Sequence, residues 1–315
     1  MNRVINFMVT IVILATTLLL FQVYRSYVLQ ASILTEINSG SYNEGTLNKL
    51  TNINKQFPNI TITSLPIQAI YGKYLFAFDR YSEALDATNK INFTDYSHFS
   101  SNLKAIIYNK LGVQDSALFY SKLAFSNLPG NVTHFEQYIR ALYKNMDSDE
   151  IISAYKKTLF SKDEQFPTIF FPTVLALGVK NDSILNYLAK KAKVDYPSSD
   201  KVRMFADYVL YGEDNVKNAV QKSEEASILV SNKDYQSALE LYKEAINLNP
   251  SDYTHYENSG ICNYYLSDFN SAIPFFQKVI DSFNINNGKS EYFLGLSYNT
   301  IGKKDLACKT LYNSY

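Results

Sequence analysis

Histidine and carboxylate side chains are the first groups in this sequence whose spacing could support acid–base catalysis or metal binding. His134 and Glu136 form one H-x-E pair, and His255 and Glu257 form a second. Residues two apart on a helix point away from each other, so neither pair is placed to share a metal ion or a proton. Both histidines lie near predicted helix starts, where we expect surface or capping contacts. The pairs therefore predict no catalytic residues and no metal ligands.

The two cysteines, Cys262 and Cys308, fall in helices that are not expected to be neighbours. We therefore predict two buried free thiols in preference to a disulfide. Together with the histidines they show no zinc-binding spacing. The sequence also has no P-loop, dinucleotide-binding or nucleophile-elbow motif. We accordingly expect a protein that is not an enzyme and that holds no cofactor.

Composition narrows the remaining classes of function. Lys plus Arg equals Asp plus Glu, at 30 each, so no global charge attracts nucleic acid and no nucleic-acid partner is expected. Only 11 Gly and 8 Pro occur in 315 residues, which argues against a turn-rich β-sandwich or barrel. Tyr and Phe supply aromatic residues in large number, and such rings fill the gaps between packed helices.

The element that organises the chain is residues 224–250, EEASILVSNKDYQSALELYKEAINLNP. Two amphipathic stretches are separated by a polar break at residues 231–234. Ala238 is followed four residues later by Tyr242 and seven residues later by Ala245, so the three share one helix face. Pro250 then ends the second stretch. The segment is predicted to form a helix–turn–helix unit.

Similar units recur along the chain at intervals of 33–35 residues. Ala84 and Ala117 lie 33 residues apart, and positions 117, 151 and 185 keep a spacing of 34 although Ile151 and Leu185 replace the small residue. The step from Leu185 to Ala238 is 53 residues, or 34 plus 19, so the array is interrupted there. We predict a helix from Val202 to Tyr211 without a complete partner, followed by one long helix.

This pattern resembles the tetratricopeptide repeat (TPR), a 34-residue helix–turn–helix unit with a small residue in its first helix and A-x3-F/Y in its second. The resemblance is specific over residues 65–131 and 219–315 and weak between them. It implies an all-α fold in which the repeats form a right-handed superhelical array that binds peptides or protein surfaces. We assign residues 26–197 to an N-terminal sub-array, degenerate after about residue 131, and residues 198–315 to a C-terminal sub-array.

Residues 4–24 form an almost entirely apolar run, VINFMVTIVILATTLLLFQVY, between Arg3 and Arg25. About 20 apolar residues at 1.5 Å each match the hydrocarbon thickness of a bilayer. A cleaved signal peptide is the alternative, with an apolar region of about 7–15 residues and small residues before the cut. This run is longer, and the best cut, near Ala31, lacks that pattern. We therefore predict that residues 1–25 are an uncleaved transmembrane signal-anchor.

The positive-inside rule gives the expected orientation of this anchor. The amino-terminal amine and Arg3 precede the run, Arg25 follows it, and the next basic residue is Lys49. The small excess favours a cytoplasmic amino terminus. The bias towards Asn, Lys, Ile and Tyr is typical of an AT-rich bacterial genome. We therefore predict a single-pass protein of the inner (cytoplasmic) membrane, with its repeats in the periplasm or otherwise outside the cytoplasm.

These features together predict a membrane-anchored scaffold or adaptor that mediates protein–protein interactions at the bacterial cell envelope. The alternative is an accessory or regulatory subunit of an envelope polysaccharide or secretion enzyme complex. Its partners would be a protein or peptide, bound by the repeats, and the lipid bilayer, contacted by residues 4–24.

The resemblance also implies which residues line the concave groove. Counting repeat positions from Tyr253 and from Gly288 predicts the lining Thr254, Glu257, Ile261, Tyr264, Tyr265, Lys289, Tyr292, Leu296, Asn299 and Thr300. The set is mostly aromatic and aliphatic, and it lacks the Lys, Asn and Arg combination by which some family members clamp a terminal carboxylate. An apolar groove rich in Tyr suits an extended or helical peptide segment. The alternative, in which each Tyr only packs against neighbouring helices, stays open.

Overall fold

The computed structural model describes residues 2–52, 60–61, 63–91, 95–179, 182–283 and 288–312. Regular structure in these residues is helical, and apart from an isolated bridge between Ile60 and Pro66 they contain no β-pairing. This confirms the predicted all-α fold. The chain forms two compact units, Met1–Leu177 and Gly178–Tyr315.

The first unit is a series of helices in which chain neighbours pack on each other. Its described helices are α1 (Asn2–Ser39), α2 (Glu44–Thr51), α3 (Ile67–Ala77), α4 (Tyr81–Asn89), α5 (Phe99–Lys110), α6 (Gln114–Asn127), α7 (Val132–Lys144), α8 (Ser148–Lys156) and α9 (Gln165–Ala176). Hairpins form between α3 and α4, between α5 and α6 and between α7 and α8. The sequence predicted a helix from Tyr42 to Phe57; α2 is shorter, and residues 53–59 lie outside the described residues.

The second unit continues the same design. Its described helices are α10 (Ser183–Asp195), α11 (Asp200–Tyr211), α12 (Glu213–Ser231), α13 (Tyr235–Leu248), α14 (Tyr253–Tyr265), α15 (Phe269–Gln277), α16 (Lys289–Thr300) and α17 (Lys304–Tyr312). A π-helical turn, Lys278–Ser282, extends α15. Each helix packs against the next one in the chain, from α10 to α17.

One turn geometry recurs between paired helices along the chain. One residue of the turn has a positive φ, and the next amide N–H donates to a carbonyl five residues earlier, as from Asp234 to Leu229 at 2.9 Å. This is the Schellman arrangement, which satisfies the last carbonyls of a helix. The seven left-handed residues are Gly40, Asp79, Gly112, Met146, Lys233, Ser267 and Gly302. They mark seven of the hairpin turns in the described residues, whereas α11 and α12 are joined at Gly212, whose φ is +90°.

Small residues set the close approach of the paired helices, as the sequence predicted. Ala226 of α12 and Ala238 of α13 are fully buried. A Cβ atom added to Gly260 would lie 2.7 Å from the Phe276 ring, and one added to Gly295 would lie 2.5 Å from Leu311 Cγ. Larger side chains at these positions would force the helices apart.

The long helix α12 explains the interruption of the repeat. The register of 34 residues continues from Leu185 to Ala219, which is fully buried within α12. The same helix then buries Ala226, the small residue of the next repeat, and packs against both α11 and α13. One continuous helix thus closes one hairpin and opens the next without a turn. The predicted unpaired helix at Val202–Tyr211 is incorrect, because α11 packs against both α10 and α12.

The compact units divide at Leu177, earlier in the chain than the sub-array boundary predicted at residue 197. Helix α10, assigned from the sequence to the first sub-array, lies in the second unit and packs against α11. The division of the repeat pattern at residue 197 stays a prediction.

Helix α1 has two differently exposed parts. Residues 4–24 are exposed, and this is the one helix among the described residues that is long and apolar enough to cross a membrane. From Ser26 onward the helix has a buried stripe, in which Leu29 and Ile33 join a core cluster with Leu47 and Leu50. The apolar run therefore continues without a break into the first hairpin.

Candidate protein-binding surface

A cluster of aromatic rings lies on the second unit, where α13 begins, α14 ends and α16 passes. Tyr265 stacks on Tyr235 with ring centroids 4.9 Å apart. Phe293 is the common neighbour, with its centroid 5.1 Å from Tyr264, 6.3 Å from Tyr265 and 5.6 Å from Tyr292. We call these five residues the aromatic surface. Three helices must be in register for it to form.

The cluster is closed on its inner side and open on its outer side. Tyr264 is half-buried and also contacts Phe269, with centroids 5.4 Å apart. Phe293 stacks on the buried ring of Phe276. Tyr265 and Tyr292 are 51% and 49% exposed, so about half of each side chain faces solvent. The cluster therefore joins the core to a solvent-facing pair of tyrosines.

Local capping fixes the helices that carry these rings. The Asp234 carboxylate accepts a hydrogen bond from Ser237 N–H at the start of α13, and Asp252 accepts one from Thr254 N–H at the start of α14. Such caps satisfy amides that have no partner within the helix. They define where each helix begins and therefore which residues share a face.

The structure places the predicted groove residues in two environments. Tyr264, Tyr265 and Tyr292 meet around Phe293, while Leu296 and Asn299 follow Tyr292 on the same face of α16 at spacings of four and seven residues. Leu296 is half-buried and Asn299 exposed. Of the other residues predicted to line the groove, Thr254 is half-buried and Thr300 is exposed.

Glu257 and Ile261, also predicted to line the groove, lie in the interior. The Glu257 carboxylate is 5% exposed and accepts hydrogen bonds from Lys289 Nζ at 2.8 Å and from Ser290 Oγ at 2.9 Å. This ion pair, in which Glu257 is buried and the Lys289 side chain is half exposed, ties α14 to the start of α16. Ile261 is 9% exposed and packs in the core cluster with Phe276 and Leu294. The groove assignment as a whole stays a prediction.

Sequence reasoning missed Phe293 and Tyr235 as members of this site. Tyr235 was recognised only as the residue that opens a second helix. Phe293 directly follows Tyr292, and neighbouring helical residues diverge by about 100°, so the repeat positions gave no reason to include it. The signal that could have found both is the density of aromatic residues at the ends of adjacent helices.

The two histidines that were expected at the surface are buried. His134 is 3% exposed and His255 is 1% exposed. Burial lowers the pKa of His134 to about 4, with the charge of His98 acting in the same direction. Burial also lowers the pKa of His255, against the opposing effect of Asp252, whose Oδ2 lies 3.8 Å from Nε2. The expectation failed because both side chains point into the helix packing even though they lie in first turns.

The cysteines correspond only in part to the prediction of two buried free thiols. Both are free, and Cys262 is fully buried, but Cys308 is exposed. Burial raises the pKa of the Cys262 thiol to about 11, which disfavours the reactive thiolate at neutral pH. Within the part of the chain that the structure describes, no three His, Cys, Asp or Glu residues are grouped as metal ligands.

One further polar cluster in the second unit surrounds Asp207, a carboxylate that is 6% exposed. It accepts hydrogen bonds from Lys193 Nζ at 2.5 Å, Ser251 Oγ at 2.6 Å and Asn249 Nδ2 at 3.3 Å. The cluster therefore ties α10, α11 and the turn before α14 together. All of these partners belong to the chain itself, so the cluster is explained as a structural connection.

Comparison with known proteins gives similarity at the level of structure. No protein-family model matches the chain, and no curated protein matches it. Among solved structures, the TPR2AB domain of yeast Sti1 in its complex with pHSP90 is 17% identical, with a TM-score of 0.30, and the match covers 78% of this chain and 88% of that chain.

Two further matches are also TPR proteins. One from Parabacteroides merdae is 14% identical with a TM-score of 0.35, and the match covers 78% of this chain and 90% of that one. The P58(IPK) TPR domain is 13% identical with a TM-score of 0.40, and the match covers 90% of this chain and 80% of that one. Each of these likenesses concerns the helical-repeat fold alone.

Proposed function

We propose that this protein is a membrane-anchored scaffold that holds a protein partner on its aromatic surface. The observation that carries the proposal is the half exposure of Tyr265 and Tyr292 on either side of Phe293. Tyrosine offers a large contact area at low entropic cost and keeps a hydroxyl group for hydrogen bonding. Such residues are enriched among those that dominate binding energy.

The chemistry of the surface indicates the kind of segment it would bind. Its rings are apolar, and Lys289, the cation among the predicted groove residues, is paired with Glu257. A partner segment with apolar side chains at helical or extended spacing would cover the rings and reach the tyrosine hydroxyl groups. A terminal carboxylate would find no free cation among the groove residues, so we infer recognition of an internal segment.

The binding proposal is tested by replacing Tyr265 and Tyr292 with alanine together. Tyr264 is left in place because its ring also packs against Phe269 and Phe293. Partners are cross-linked in cells, captured from solubilised membranes and quantified by mass spectrometry. We expect at least a tenfold loss of the main partner with little change in the melting temperature.

The matched control replaces Tyr96 and Tyr187, which are 78% and 62% exposed and lie outside the aromatic surface. This double variant should capture the partner like the wild type. Equal capture by both double variants would refute the proposal, as would loss of capture explained by unfolding. Capture of one enzyme in a fixed ratio would favour the role of an accessory subunit of an envelope complex.

The anchoring part of the proposal is supported by the exposed apolar residues 4–24 of α1. We propose that these residues cross the inner membrane of a bacterium and that the repeats lie outside the cytoplasm. The chain should stay in the membrane during alkaline carbonate extraction, and a carboxyl-terminal alkaline phosphatase fusion should be active. Release by carbonate would contradict the anchor. An inactive phosphatase together with a fluorescent cytoplasmic reporter would reverse the orientation.

A further inference from the structure

A groove lies between α1 and α2 at the point where the apolar run ends. It has a volume of about 530 Å³, which is in the range of small-molecule sites. Its polar lining comprises Tyr24, Arg25, Ser32, Asn48, Lys49 and Asn52. Arg25 and Ser32 are seven residues apart on one face of α1, and Lys49 and Asn48 come from α2. The groove thus brings two cations and four neutral polar groups to one place.

The charge of this groove is positive. Its described lining contains Arg25 and Lys49 and no carboxylate, and neither cation has an ion-pair partner among the described residues. The Arg25 guanidinium is held 5.9 Å from the centroid of the Phe21 ring. Glu36 acts electrostatically on Lys49.

The carboxylate of Glu36 is itself occupied by other groups. It accepts hydrogen bonds from Asn43 N–H at 3.0 Å, from the Thr46 hydroxyl at 2.5 Å and from the Tyr74 hydroxyl at 2.9 Å. Its oxygens therefore hold the first turn of α2 and the neighbouring helix α3. The carboxylate keeps its negative charge and interacts with Lys49 at a distance. It forms no ion pair with Arg25 or Lys49, so the donor groups of both cations can still bind an anion.

The position of the groove along α1 indicates the source of that anion. Residues 4–24 of the helix span about 31 Å at 1.5 Å per residue, which equals the hydrocarbon thickness of a bilayer. With this run in the membrane, Tyr24 lies at the boundary, where aromatic side chains are enriched, and Arg25 lies one residue beyond it. The open end of the groove is then at the level of the lipid headgroups.

We propose that this groove binds the phosphate headgroup of an anionic phospholipid, an inference that rests on the proposed membrane anchor. The guanidinium of Arg25 matches two phosphate oxygens at once, and Lys49 adds a second positive charge. Ser32, Asn48 and Asn52 supply hydrogen-bonding groups for the polar part of the headgroup. The lipid chains would lie beside the apolar residues of α1, so that a single ligand would contact both parts of the helix.

The test uses the full chain in nanodiscs of phosphatidylcholine with one-fifth phosphatidylglycerol. Electron paramagnetic resonance compares the immobilised fraction of spin-labelled phosphatidylglycerol with that of spin-labelled phosphatidylcholine. We expect the wild type to prefer phosphatidylglycerol about fivefold or more, and Arg25→Gln with Lys49→Gln to remove that preference. Lys233→Gln with Lys303→Gln, which removes the same charge from exposed positions in the second unit, should retain it.

A second variant distinguishes binding in the groove from attraction by general surface charge. Ser32→Phe with Asn52→Leu fills the groove and leaves both cations in place, so the preference should disappear. If the preference persists, only surface charge is acting and the proposal is wrong. Added inorganic phosphate should not displace the spin-labelled lipid, and displacement by phosphate alone would identify a site for a soluble anion instead.

Carbonate extraction of the same proteins separates this proposal from the anchor on which it rests. Retention in the membrane without any preference for phosphatidylglycerol would overturn the headgroup site and leave the anchor standing. Release of the wild-type chain would overturn both.

Discussion

Gly260 sets how closely α14 and α15 approach each other. Replacement by alanine would put a Cβ atom 2.7 Å from the fully buried ring of Phe276, which has no free space to move into. We expect Gly260→Ala to lower the free energy of unfolding by about 1–3 kcal/mol through overpacking. Chemical denaturation of the protein measures this. Asn258→Ala, at a half-buried position on the same helix, should change the value by less than about 0.5 kcal/mol; equal effects would show that the close contact is wrong.

His134 makes stability depend on pH. Its pKa is about 4 in the folded protein, against an ordinary value of 6.5, because burial disfavours the charged form. Between these values the unfolded chain binds a proton that the folded chain does not, so stability falls as the pH decreases through this window. The largest slope from this residue is about 1.4 kcal/mol per pH unit.

Replacing His134 with glutamine should therefore flatten the pH dependence of unfolding. Denaturation midpoints of the wild type and the variant are compared at pH 7.5 and at pH 5. The difference between the proteins should shrink or change sign at the lower pH, since only the wild type loses stability through this imidazole. Parallel pH profiles would contradict the depressed pKa.

At this scale the sequence predicts packing better than it predicts polar environment. Ala84, Ala117 and Ala238 were recognised as repeat positions because of their spacing along the chain, and all three are buried. The burial of His134 was missed because a helix start exposes some positions and buries others, and only the neighbouring helix decides which. Sequence alone could not place Phe293 at the centre of the aromatic surface, because the contact depends on three helices.

Among the elements, α12 is unusual because one continuous helix buries the small residues of two hairpins, Ala219 and Ala226. Its continuity is tested at Gln221, an exposed interior position between the buried residues Ala219 and Ala226. Gln221→Pro removes an amide donor and clashes with the preceding turn, so we expect a loss of about 3 kcal/mol or more in the free energy of unfolding. Gln221→Ala at the same site should cost less than about 0.5 kcal/mol.

If the proline and alanine variants have the same stability, the helix is interrupted near Gln221 in solution. The sequence predicted this long helix because residues 215–231 contain no helix-breaking residue. The partner of α11 could not be predicted in the same way. In the repeat pattern, a turn should separate Ala219 from Ala226. Because the sequence has no turn signal there, it did not reveal that the spacing of 34 residues continues from Leu185 to Ala219.

For the whole molecule, the division after Leu177 seen in the structure and the division at residue 197 predicted from the repeat pattern differ in which fragment should fold alone. The fragment 178–315 keeps α10 against α11 and keeps Lys193 bound to Asp207. The fragment 198–315, which begins at the boundary predicted from the repeat pattern, lacks both. We expect the longer fragment to be helical by circular dichroism and to unfold cooperatively on heating.

The shorter fragment should melt at a lower temperature, because it loses the packing of α10 against α11 and the cation that pairs with Asp207. Removing one partner of a buried pair costs about 3–5 kcal/mol. A third fragment, 178–315 carrying Lys193→Met, isolates the ion pair from the packing of α10. Equal melting temperatures for all three fragments would show that the division at Leu177 has no energetic basis.

Helix α1 is one continuous rod of 38 residues, Asn2–Ser39, and no Gly or Pro interrupts the chain between Val4 and Ser39. Its last 15 residues, about 22 Å long at 1.5 Å per residue, bear the first hairpin. With residues 4–24 in a bilayer, such a helix has no flexible joint at the membrane surface. Tilting or rotating the membrane segment would then apply a torque to the first hairpin. The anchor would therefore restrict the orientation of the first unit, whereas a flexible linker would let that unit reorient freely.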